Sequence, residues 1–206
     1  GNVFVNCDKG IRILNSRDVH VYHNTLVNTV ASFERTERGA VPDHFGWHPS
    51  TGPGVDERAG HVFVGNLLTA DARFAKALLR FEQPNALRER LTRPQVTRFD
   101  HNVYVRRSDA GAQTLILWTP AAGETGPVAV KTLEELRKMY PNFEASSRHL
   151  NRDLGSVFKS PELGNYELTQ AFSGPAPADP LPAEVHELLG WPKGASRFPG
   201  AFPRRP

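Results

Sequence analysis

The sequence predicts an all-β solenoid, a chain wound into stacked coils and closed by a partly helical, Pro-rich C-terminal segment. Three observations carry that prediction. Four short segments align on an asparagine: "GNVFV" at Asn2, "HNTLV" at Asn24, "GNLLT" at Asn66 and "HNVYV" at Asn102. A further strand-like run recurs between successive units. The β-rich texture stops near Pro120, and helical periodicity starts only beyond it. Units this short cannot bury a core alone, so repetition on this scale points to stacking.

Each element has its reason. The asparagines are 22, 42 and 36 residues apart. Each is followed by a β-rich run, Val3–Val5, Thr25–Val27, Leu67–Thr69 and Val103–Val105, and three are preceded by another, at 19–22, 61–64 and 97–100. Asparagine tolerates left-handed backbone and bonds locally, so it is expected to make the bend itself. The recurring third run is "GIRIL" (10–14), "ASFER" (31–35), "ALLRFE" (77–82) and "TLILW" (114–118). Insertions at one corner, 36–59 and 84–95, account for the uneven spacing. Residues 1–120 therefore read as stacked coils and 121–206 as a capping and wrapping segment. In the latter, "KTLEELRKMY" carries a capping box at Thr132 and Glu135, with Leu133, Leu136 and Tyr140 on one face and Pro141 as the stop. "PAEVHELLG" reads as a second short helix between Pro182 and Gly190.

The asparagine-headed units "GNVFVN", "HNTLVN" and "GNLLTA" resemble the right-handed parallel β-helix family of pectate-lyase-like, carbohydrate-active proteins, over roughly residues 1–120. The resemblance implies a right-handed parallel β-helix, a polysaccharide or complex glycan as partner, and a secreted, periplasmic or cell-surface location. The chain opens on "GNVFVNC", already strand-like, so it reads as the C-terminal portion of such a protein, with missing N-terminal coils as a further expected partner.

Composition narrows the partners. With 39% apolar and 23% charged residues the chain can bury a core. Net charge is +3, from 25 basic and 22 acidic residues without a basic block. Nucleic acid is therefore not an expected partner, while an anionic substrate is compatible. A single cysteine, Cys7, excludes an intrachain disulfide and a paired-cysteine metal site, and no apolar run reaches the length of a membrane span.

Candidate site residues come from strand alternation. In the third-run stack Ile13, Phe33, Phe81 and Leu117 align inward. The outward columns then read Arg12, Ser32, Arg80, Ile116 and, beside it, Leu14, Glu34, Glu82, Trp118. Glu34 and Glu82 become vertical neighbours, roughly 5 Å apart by strand spacing. Like charges that close need a shared proton, an arginine or a bound cation. Roughly 5 Å is also the carboxyl separation of a retaining glycosidase, one group attacking and the other protonating the leaving oxygen. The plainer reading of the same residues is a solvated Glu/Arg ladder on the outer face.

The loop "DHFGWHPSTGP" leaves the corner directly after Glu34 and Arg35 and carries Asp43, His44, Trp47 and His48 beside that face. Its histidines offer proton transfer near neutral pH. Trp47 and Trp118 offer stacking faces to sugar rings. Catalytic candidates are thus Glu34, Glu82, His44 and His48. Substrate-binding candidates are Arg12, Arg35, Asp43, Trp47, Arg80 and Trp118. No resident metal or cofactor is expected, although calcium between Glu34, Glu82 and a loop aspartate would relieve the repulsion. The leading expectation is a carbohydrate-active enzyme hydrolysing glycosidic bonds through paired carboxylates. The alternatives are β-elimination on a uronate polymer, with His44, His48 or an arginine as base, and a non-catalytic glycan-binding or scaffold protein.

Overall fold

The computed structural model describes residues 1–37, 52–107, 114–172, 181–188, 190 and 198–201. Its strands begin with β1 (Val3–Val5), β2 (Lys9–Leu14), β3 (His20–Tyr22), β4 (Thr25–Val27) and β5 (Val30–Glu34). They continue with β6 (His61–Val64), β7 (Leu67–Thr69), β8 (Leu79–Glu82), β9 (Val96–Asp100), β10 (Val103–Val105) and β11 (Ile116–Trp118). Beyond Pro120 come β12 (Val128–Val130), helix α1 (Leu133–Met139), β13 (Arg148–Leu150), β14 (Phe158–Ser160), β15 (Asn165–Leu168) and helix α2 (Ala183–Leu188). Helix α1 starts on the expected capping box, with Thr132 and Glu135 bonding each other's backbone.

Strands pair with strands many residues away. One sheet runs β1-β4-β7-β10-β13 with every pair parallel. A second runs β2-β5-β8-β11 in parallel and ends on an antiparallel β12. A third holds β3-β6-β9 in parallel, and β14 pairs antiparallel with β15. This corrects the expectation of an all-β, right-handed parallel β-helix. The described residues form several parallel and mixed sheets with two short α-helices. The physical reason lies after Trp118: the chain turns back across 119–127, so the β2-β5-β8-β11 sheet ends on a reversed strand rather than on another parallel one.

The core sits between the three larger sheets. Phe33 and Phe81 are wholly buried and stacked, 5.0 Å between centroids and 11° between planes, and Phe63, Phe99 and Trp118 close around them. Each such ring contributes about 1.5–3 kcal/mol of burial. Beside this core runs a ladder of amides. Asn2 Nδ2 donates to Asn24 Oδ1 at 3.1 Å, Asn24 Nδ2 to Asn66 Oδ1 at 3.1 Å, and Asn66 Nδ2 to Asn102 Oδ1 at 3.2 Å.

The asparagines' role differs from the expected one. The left-handed backbone falls on the residue before three of them, His23 (φ 50°), Gly65 (φ 68°) and His101 (φ 56°). The amide is thereby free to bond the next unit. A Cβ on Gly65 would approach His23 Nε2 to 2.7 Å, so this column holds a side chain and a bare backbone in alternation.

Candidate functional site

The face on which the sequence places its chemistry is the outer surface of β2, β5 and β8. Their register aligns Arg12 with Ser32 and Arg80, and Leu14 with Glu34 and Glu82. Glu34 and Glu82 are therefore neighbours on adjacent strands, about 5 Å apart by strand spacing. Alternation along each strand puts Phe33 and Phe81 into the core and so obliges positions 32, 34, 80 and 82 to face out.

Each carboxylate is held by cations of the chain itself. Glu34 Oε1 accepts from Lys9 Nζ at 2.5 Å and from Ser32 Oγ at 2.9 Å. Its Oε2 accepts from Arg12 Nε at 3.0 Å and Nη2 at 2.8 Å. Burial pushes this carboxyl up, but the hydrogen bonds of Arg12, Lys9 and Ser32 outweigh it and hold it at about 2. Glu82 Oε1 accepts from Arg80 Nη2 at 2.5 Å. The repulsion that calcium would have relieved is thus met by Lys9, Arg12 and Arg80. Among the described residues, no three His, Cys, Asp or Glu side chains are grouped to hold a metal.

Lys9 and Ser32 are partners the sequence reading did not assign. Strict alternation from Ile11 and Ile13 sends Lys9 inward. A register shift between Lys9 and Ile11 turns it out instead, and Gly10 permits that shift. A Cβ at Gly10 would lie 2.5 Å from Thr29 Cγ2 and 2.9 Å from Phe4 Cβ. A glycine inside an otherwise regular strand was the available signal.

Two expected site residues are elsewhere. Trp118 is completely buried, 4.6 Å from Phe81 and stacked on Phe99 at 6.1 Å with 7° between planes, so it offers no face to a sugar. The cause is a one-residue difference in register: Ile116 aligns with Leu79 and Leu117 with Arg80, which sends Trp118 in with Phe81 and Leu117 out. Arg35, expected to tune the carboxylates and bind substrate, is 3% exposed. Its Nη1 donates to Gln83 Oε1 at 3.4 Å and its Nη2 to the Arg93 carbonyl at 3.0 Å, pinning the segment after β8. Burial lowers that guanidinium to about 10. Asp43, His44, Trp47 and His48 lie outside the described residues.

Further charge extends the face. Lys76 pairs with Asp8, whose carboxyl is held low first by Lys76 and then also by Lys9 and Arg80. Past the end of β8, a cleft of about 290 Å³ opens between Arg88, Glu89, Thr92, Pro120, Glu124 and Tyr140.

The site can hold an anion against Lys9 and Arg12, which stay 30% and 50% exposed while bound to Glu34. Glu34 remains ionised throughout the neutral range. No helix among the described residues is long and apolar enough to cross a membrane. No family model, curated protein or solved structure matches this chain.

Proposed function

We propose that this protein binds an acidic polysaccharide along the face of β2, β5 and β8, with Glu34 and Glu82 serving to order the cations. The observation that carries the reading is the occupancy of Glu34. Both its oxygens are engaged, by Lys9 and Ser32 on one side and by two nitrogens of Arg12 on the other. A carboxylate so held is a poor nucleophile and a poor acid, but it fixes Arg12 through Nε and Nη2 while half of that side chain stays exposed. Arg12 and Arg80 stand two strands apart, about 10 Å by strand spacing, so successive carboxylates of one polymer can address both. The glycan class is supported by the likeness of the asparagine-headed units to carbohydrate-active proteins, and the acidic character by the exposed cations. A polymer of that kind is met outside the cytoplasm, so the reading carries a secreted, periplasmic or cell-surface location.

Affinity electrophoresis through gels containing polygalacturonate or alginate, with neutral dextran as control, tests this. Retardation is expected in the acidic gels alone, weakening as salt is raised and lost in the Arg12→Ala/Arg80→Ala double variant. Equal retardation by dextran, or none of the variant's effect, defeats the proposal.

A second reading is hydrolysis, which the register of Glu34 against Glu82 favours because it matches a retaining pair. Glu34, released from Lys9 and Arg12 by the substrate, would be the nucleophile and Glu82 the acid. Incubation with the same polymers separates the cases. New reducing ends lost in Glu82→Gln support hydrolysis, unsaturated ends support β-elimination, and intact polymer supports binding alone.

A further inference from the structure

The amide ladder does not end on an amide. Beyond Asn102 the register places Ser147, whose Oγ accepts from Asn102 N, while the acceptor of the Asn102 side-chain amide is Glu144, fully buried and in left-handed backbone at φ 54°. Asn102 Nδ2 donates to its two oxygens at 3.2 and 3.3 Å, and the Tyr104 hydroxyl donates to Oε1. Ser147 stands beside it, and the Ser147 backbone N–H donates to the Glu144 carbonyl. Glu144 thus fastens the segment between α1 and β13 onto the end of the ladder, and among the described residues β13 is the edge strand of its sheet, paired with β10 alone.

The charges facing this carboxyl do not neutralise it. From β9 comes Asp100, of like sign, whose Oδ1 accepts from Ser146 N and Ser147 Oγ, with His101 Nε2 3.7 Å from its other oxygen. From β10 comes the Tyr104 hydroxyl, also buried. From α1 comes Arg137, but its Nε and Nη2 go to the carbonyls of Glu144 and Ser147 and its Nη1 to Glu134. Among the described residues, no cation meets the Glu144 carboxylate in an ion pair. In each earlier unit the acceptor of the asparagine amide is a neutral side chain, and a protonated carboxyl is the nearest equivalent.

We propose that Glu144 is a proton-controlled latch, whose neutral form holds residues 141–150 against β10 and whose ionisation loosens them. Burial, reinforced by Asp100, raises this carboxyl to about 7 against the opposing hydrogen bonds of Ser147, Tyr104 and Asn102. The sign follows from proton binding. Opened, the group titrates near its ordinary 4.5; closed, near 7. Between those values the closed form carries the extra proton. Its hold is complete below the lower value, declines as pH rises through the window, and levels off above the upper one.

Hydrogen exchange read by mass spectrometry, corrected for the intrinsic rate at each pH, tests the latch on the full chain. Protection of peptides covering 141–150 is expected to fall by up to tenfold per pH unit between about 4.5 and 7 and then level off. Peptides covering β4 and β7 should show no such slope. Glu144→Gln, neutral at every pH, should flatten the slope for 141–150. Tyr104→Phe removes a donor to the ionised form and should move the levelling point to higher pH, a readout that serves even where the glutamine variant fails to fold. A wild-type slope that is absent or reversed, a slope unchanged in Glu144→Gln, or a levelling point unmoved in Tyr104→Phe each overturns the latch.

Discussion

Two ladders run across two different parallel sheets and differ in what surrounds them. Asn24, Asn66 and Asn102 stack in the interior at 5%, 0% and 0% exposure. Arg12, Glu34, Arg80 and Glu82 stack on the outer face, where Arg12 is half exposed and Glu82 about a third. Parallel register gives both sets the same geometry, like placed over like. An amide tolerates that, because it is donor and acceptor at once and each one satisfies the next. A carboxylate does not, so Glu34 over Glu82 is workable only with Lys9, Arg12 and Arg80 interleaved. The interior ladder therefore spends its hydrogen bonds on stability, while the outer one leaves cations partly open to ligand.

Breaking the interior ladder should have the largest effect. Asn66→Ala removes the acceptor for Asn24 N and Nδ2, and the donor to Asn102 Oδ1 and to the carbonyls of Val21 and Val64. At about 1–3 kcal/mol for each buried group left unsatisfied, a loss of about 3–5 kcal/mol is expected. Urea unfolding measures it. A loss below about 1 kcal/mol would mean that water replaces the amide and that the ladder is ornament.

The outer ladder should be weaker and sensitive to acid. Glu34's carboxyl is held at about 2 against an ordinary 4.5, a depressed value. Its contribution is therefore full above 4.5 and lost as pH falls toward 2. Glu34→Gln should cost about 1–2 kcal/mol at neutral pH, after discounting for solvent at this surface, and should flatten the stability profile over that acid window. Unfolding midpoints taken between pH 2 and 6 decide it, and a glutamine variant with an undiminished acid slope would assign that slope to other carboxylates.

How much of this was legible follows from what each residue reports. Asparagine-headed units marked the strands that pair, because a repeat is a statement about which residues share an environment. They did not reveal which residue takes the bend, since asparagine suits both the bend and the stack; only the structure gives the left-handed φ to His23, Gly65 and His101. Glu34 and Glu82 could be paired from alternation because Phe33 and Phe81 fix the inward phase on both strands. Trp118 could not: the run "TLILW", apolar at four successive positions, carries no phase of its own, and a single-residue slip exchanges its faces. Arg35 misled for a different reason. A guanidinium directly after Glu34 in sequence reads as a partner of the carboxylate pair, yet carbonyls of an inserted segment can hold it equally well, and no local pattern announces them. The reversal at β12 had no sequence signal in the repeat, because it lies where the repeat stops.

The smallest effect on stability should come from Asp8, where the contrast between the ladders is sharpest. Its bond to Lys76 is between side chains 79% and 51% exposed, so water and salt already screen it. Asp8→Asn should leave the urea midpoint unchanged within error. It should nevertheless alter binding, because Asp8 lies within the field of Lys9, Lys76 and Arg80 and, unlike Glu34 and Glu82, is not fixed in the strand register. Removing its charge releases Lys76 and makes the face more positive. Retardation by polygalacturonate should then strengthen slightly, and its salt dependence should steepen. A variant that shifts the midpoint but leaves retardation unchanged would reverse the assignment, making this pair a fastening and placing the polymer's path away from β2.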